Sequence, residues 1–129
     1  MEIINSRVAA LRALSAPQWY ALVVGAFLLI RGTTTLIAGA DFSLPGSGWR
    51  AVPQVLVALL LLAALPRPAV AWRAVLAVGC LYAAEAVIGN LDGGDILGVI
   101  PVDARDRVVH PTLAVLALLA VLARFRRRG

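Results

Sequence analysis

The chain has 129 residues and a formal net charge of +5, from 12 basic and 7 acidic side chains. Hydrophobic residues make up 61% and charged residues 15%, against roughly 45–50% and roughly 25% in an ordinary soluble domain. That surplus of apolar surface excludes a soluble globule, and the length allows one domain.

The single cysteine, Cys80, excludes an intrachain disulfide and every CxxC redox or Cys-pair metal site. The single histidine, His110, excludes a bis-histidine haem within one chain. All basic residues are arginine. They flank apolar runs with little aromatic interleaving, so the positive charge is not the footprint of a nucleic-acid partner.

In chain order, residues 2–14 come first. Ile3, Ile4, Val8, Leu11 and Leu14 recur at helical spacing while Asn5, Arg7 and Arg12 fall elsewhere. This predicts a short amphipathic helix lying in the membrane interface. Ser15, Ala16 and Pro17 then form a helix start. Four apolar segments follow, at about residues 17–40, 49–65, 69–89 and 108–124. A bilayer core of ~30 Å takes ~20 helical residues, so each is read as a span. The runs Val55–Leu65 and Leu113–Ala123 have no polar face, which a soluble bundle would need. The first segment is long, lacks a convincing cleavage site and is read as a retained span. The expected fold is all-α: an integral membrane four-helix bundle with an N-terminal interfacial helix.

Arginines near span ends set sidedness. With the N-terminus cytoplasmic, the inner side holds Arg7, Arg12, Arg67, Arg73, Arg124, Arg126, Arg127 and Arg128, and the outer side holds Arg50, Arg105 and Arg107. Asp41, Asp92, Asp95, Asp103 and Asp106 all fall outside. Both termini are therefore expected in the cytoplasm, with the protein in the inner (plasma) membrane. The run Arg124–Arg128 reads as a stop-transfer anchor, with anionic lipid headgroups as a further ligand.

Two charges break this segregation. Arg31 lies roughly 13 Å and Glu85 roughly 6 Å below the outer ends of their spans. Isolated charges in a bilayer cost at least ~2.5–3.5 kcal/mol each on insertion scales. One reading is an Arg31–Glu85 contact, direct or through water, joined by Thr33, Thr34 or Thr35. The other is that both side chains snorkel to the headgroups.

The outer loop, residues 90–107, holds the most organised non-helical stretch. Gly93 and Gly94 are expected to supply positive φ angles. Ile96–Ile100 is apolar but too short to span, and either lies against the interface or folds back over the bundle. Asp103 is placed to cap a turn whose third residue is Asp106, similar to a capping box. Pro111 is expected to bend or restart the helix after His110. If the helix runs through, Asp106 and His110 share a face. Such a pair can orient an imidazole or form half of a metal site, with Asp92, Asp95 and Asp103 as the nearby further ligands. The alternative is a hydrogen-bonded interfacial histidine.

Pro101, Asp103, Asp106 and His110 follow the pattern P-x-N-x-x-D-x-x-x-H, with Asp103 in place of Asn. In this the chain resembles a family of small, mostly actinobacterial four-span membrane proteins of unknown function. The Gly-containing run Ala21–Gly32 is similar to that family's first span. Val108 stands where the family has Trp, and the region Pro53–Val57 lacks the family's histidines. The resemblance implies the four-span topology and supplies no activity.

The functional expectation is a non-enzymatic accessory subunit or self-associating bundle, partnered by lipid and by a larger membrane complex or further copies of itself. Gly25 with Gly32, Ala83 with Ala84 and Ala114 with Ala117 are small-residue pairs suited to close helix packing. The alternatives are a small transporter or channel subunit, or a lipid- or quinone-linked enzyme. Against an enzyme, no GxSxG, HExxH or phosphate-binding loop is present. The candidate polar sites are Arg31 with Glu85, and Asp103, Asp106 and His110; no cofactor or metal is assigned.

Overall fold

The computed structural model describes residues 1–129. Its elements are α1 (Glu2–Arg12), α2 (Ala16–Gly39), α3 (Ser47–Ala64), α4 (Pro68–Leu91), a small antiparallel hairpin of β1 (Asp95–Ile96) and β2 (Ile100–Pro101), and α5 (Asp106–Arg126). Helices α2 to α5 are long and apolar enough to cross a membrane. The core they enclose includes Tyr20, Leu28, Leu61, Val75, Val78 and Leu113. Their other faces expose Ile30, Ile37, Leu56 and Val115. Helices apolar on both faces need lipid around them, and the chain is a multi-pass membrane protein with an all-α bundle fold.

The helix starts follow local chemistry. Ser15 caps α2, and its N–H donates to Gln18 Oε1 (3.0 Å). Gln18 Nε2 in turn donates to Leu65 O (2.9 Å). One buried glutamine therefore completes the α2 cap and satisfies a carbonyl that the end of α3 leaves free. No residue of α1 is buried, as an interfacial helix with its apolar face in lipid requires.

The fold corrects expectations for the last helix and for the loop before it. Helix α5 begins at Asp106, not 108, and passes through Pro111 without a break. Pro111 is the sixth helical residue, so its missing N–H frees only the carbonyl of Arg107, in an exposed first turn. In the loop before it, Gly93 has φ +77° but Gly94 does not take a positive φ; Leu97 (φ +55°) and Gly98 (φ +69°) make the hairpin turn instead.

Close approach decides the helix pairs. A Cβ on Gly32 of α2 would lie 2.7 Å from Val55 Cγ2 and 3.0 Å from Ala51 O of α3. On α4, a Cβ at Gly79 would lie 2.7 Å from Ala117 Cβ of α5. Helix α2 therefore lies tightly on α3, and α4 on α5.

The two ends of the bundle differ. At the end holding the termini, Arg124 Nη1 donates to Pro68 O (3.0 Å), and the guanidinium groups of Arg73 and Arg124 lie over the Trp72 ring. Phe125 meets Trp72 edge-on. Arg124 is thus packed against α4, while Arg126, Arg127 and Arg128 stay exposed. The opposite end carries the hairpin and most of the remaining charge.

Candidate functional site

The hairpin folds back over the bundle. Ile96 and Val102 are buried, and Gly46 N donates to Val99 O (3.1 Å) across to the start of α3. This settles the two readings of Ile96–Ile100 in favour of the fold-back. Asp92 Oδ2 accepts from Leu97 N and Asp95 Oδ1 from Gly98 N, so both carboxylates shape the turn.

Beneath the hairpin, the turn that leads into α5 is closed by reciprocal bonds. Asp106 N donates to Asp103 Oδ1 (2.8 Å), and Asp103 N donates to Asp106 Oδ2 (3.3 Å). The reciprocal Asp103–Asp106 bonds form as the spacing predicts, but they close the turn that leads into α5, whose own N-cap position is Arg105. The Asp106 backbone N–H, followed by the charges of Arg50 and Arg31, holds the Asp103 carboxyl below the usual carboxylate range. A depressed pKa stabilises above the unfolded value and is lost only as pH falls through the folded one. Asp103 is half exposed, so screening makes this contribution small. Replacing Asp103 with Ala should remove one capping bond, costing about 1 kcal/mol, and amide exchange at Asp106 should speed up. In wild type the cap should persist at mildly acidic pH.

Asp106 does more than cap. Its side chain is 0% exposed and is held between two arginines from different helices: Arg31 Nη2 of α2 at 3.2 Å from Oδ1, and Arg50 Nη1 of α3 at 2.8 Å from Oδ2. Arg50 also reaches Asp103 Oδ2 at 3.5 Å. Three helices and the capping turn therefore meet on one carboxylate. The expected Arg31–Glu85 contact is not formed. Arg31 is taken by Asp106, the nearer carboxylate once α5 begins at that residue. The threonines do not join it either: Thr33, Thr34 and Thr35 donate to the carbonyls of Leu29, Ile30 and Arg31 within their own helix. Snorkelling is likewise replaced for Arg31, whose side chain points to a buried partner.

Asp106 and His110 do share an inward face, both being buried. Yet the partner of His110 is Glu85, with Nε2 at 3.5 Å from Oε2. Its ring lies 5.5 Å from that of Tyr82, tilted by 42°. The two charges that the sequence singled out within the membrane therefore belong to two adjoining clusters. A cavity of about 20 Å³ sits beside Glu85 and His110, lined also by Arg50, Gln54, Tyr82 and Ile100. That volume accepts about one water molecule. No three His, Cys, Asp or Glu residues stand close enough to share a metal ion, because Asp92 and Asp95 are used by the hairpin and Asp106 by the arginines.

Arg50 is the residue of this cluster that the sequence reading does not place there; the sequence offers it only as a sidedness charge. Gln54, one turn further along α3, was missed too. The signal for both was their spacing of four, which places them on the inward face of a helix that begins at the level of Asp106.

A second feature lies on the outside of the bundle. Between α4 and α5 runs an apolar groove of about 270 Å³, lined by Leu76, Gly79, Cys80, Ala83, Ala114 and their neighbours. Cys80 is free and exposed in it. No family model, no curated protein and no solved structure matches this chain.

Proposed function

We propose that the chain is a non-catalytic membrane module that associates through its α4–α5 groove, first with a second copy of itself and otherwise with a helix of a larger membrane complex. The observation that carries this is the groove itself. Gly79, Cys80, Ala83 and Ala114 lower the helix surface there, and small residues are what lets a second transmembrane helix approach closely. The two charge clusters at the hairpin end then serve as an internal lock, Asp106 joining α2, α3 and α5 and the Glu85–His110 pair joining α4 to α5. The Arg distribution supports cytoplasmic termini and a plasma-membrane location. On this reading the chain stands beside the four-span family that its Pro101–Asp103–Asp106–His110 run resembles.

A transporter or channel reading meets an obstacle. Leu28, Val57, Leu61, Val75 and Val78 fill the interior between the polar end and Gln18, so no polar path joins the two ends.

The lone cysteine supplies the test. In a two-fold contact a residue near the axis meets its own copy. Mild oxidation of native membranes should therefore crosslink Cys80 to Cys80, and Ala83→Leu, which fills the groove, should abolish the crosslink. A crosslink to a different membrane protein, equally lost in Ala83→Leu, would move the reading to the accessory role. Monomers throughout, with no effect of Ala83→Leu, would overturn it.

A further inference from the structure

We infer that Glu85 and His110 together form a single proton-binding site, fed from the hairpin end through the cavity between α3, α4 and α5. The inference goes beyond self-association and does not rest on it.

The charge pattern leads there. Every charged or titratable group facing the pair can be named: Tyr20 and Arg31 from α2, Arg50 from α3, Tyr82 from α4, Asp103 from the capping turn and Asp106 from α5. Arg31 and Arg50 meet Asp106 and Asp103, and these four charges cancel. Tyr20 is committed to Leu113 O (2.9 Å). What remains is Glu85 beside His110. With no proton the pair carries −1, with two it carries +1, and with one it is neutral overall. A site largely removed from water disfavours both charged states. The one-proton state is therefore favoured, with the proton shared between the Glu85 carboxylate and the imidazole.

The cavity gives the proton a route. Gln54 and Tyr82 are 7% and 4% exposed and line this space, and their side chains make no hydrogen bond to the rest of the protein. Both side chains border the same water-sized volume as Glu85 and His110. One water there gains several polar partners, which is the condition for stable occupancy. Such a water can relay H⁺ between the hairpin end and the pair with no other bond made or broken.

Because His110 is the only histidine, its ¹⁵N signals report this site alone. The full chain, ¹⁵N-histidine labelled and held in lipid nanodiscs, should be titrated as wild type, Glu85→Gln and Glu2→Gln. In Glu85→Gln the imidazole should lose its proton at a pH lower by about one unit or more, the shift produced by removing an adjacent opposite charge. Glu2→Gln, at the other end of the molecule, should leave it unchanged. An unchanged titration in Glu85→Gln overturns the inference. Should Glu85→Gln fail to fold, wild-type protein decides alone. Infrared bands of the Glu85 carboxyl and the ¹⁵N signals of His110 should change together at each midpoint of the pair, and a midpoint seen by one probe alone overturns the inference equally.

Discussion

Asp106→Asn should be the most damaging single substitution at the hairpin end, lowering stability by about 3–5 kcal/mol, the usual cost of removing one partner from a buried ion pair. The carboxylate is fully buried and accepts from Arg31 and Arg50 at once. Asparagine can keep the capping geometry with Asp103, so the loss isolates the charge rather than the cap. It leaves two guanidinium groups facing each other inside the bundle with only Asp103 nearby. Thermal unfolding in detergent, or unfolding by steric trapping in bilayers, would measure it. The double-mutant logic is specific. Arg31→Leu alone should be harmful, and adding Asp106→Leu should recover part of the loss, because a buried pair exchanged for apolar groups is often neutral. Adding Glu85→Gln to Arg31→Leu should recover nothing, since Glu85 does not touch Arg31. Recovery through Glu85 and none through Asp106 would show that the pairing is wrong.

That contrast also shows how much of the site was legible beforehand. Hydropathy placed all four spans, because a segment that must satisfy its backbone inside lipid has few options other than a helix. The Asp103–Asp106 cap was legible from spacing alone, since capping is a local interaction. The partner of Arg31 was not. Depth along each span put both charges in the outer leaflet, but depth carries no information about which way a helix faces. The helix start that brings Asp106 into the bundle lies two residues before the apolar run, and hydropathy does not see it. Arg50 was obscured by the same rule that assigned sidedness, because an arginine at a span end counts equally whether it faces headgroups or a buried carboxylate. The groove had a partial signal. Ala114 and Ala117 were recognisable as small residues, but that Ala117 is consumed by Gly79 while Ala114 stays open depends on the rotation of α5.

Gly32→Leu should be the most damaging substitution in the packing layer. The added Cβ would already meet Val55 Cγ2 at 2.7 Å, the backbone oxygen of Ala51 at 3.0 Å and the backbone nitrogen of Val55 at 3.2 Å. Val55 can rotate aside, but the α3 backbone cannot, so the helices must separate. Forcing extra methylenes into a packed interior costs typically about 1–3 kcal/mol, and here a second loss follows. Arg31 precedes Gly32, and its guanidinium reaches Asp106 at 3.2 Å. A displacement of α2 of even half an ångström would stretch that contact beyond ordinary hydrogen-bond range. Gly25→Leu, seven residues earlier on the same face, is the informative comparison. Its Cβ would meet the Leu62 side chain at 3.0 Å and no backbone atom closely, so repacking can absorb much of the strain. Gly32→Leu should therefore unfold at a markedly lower temperature than Gly25→Leu. It should also erase most of the additional effect of Asp106→Asn when the two are combined, because the carboxylate has then already lost its Arg31 contact. Fully additive losses would mean that α2 can yield without moving Arg31, and that the packing layer and the charge cluster are independent.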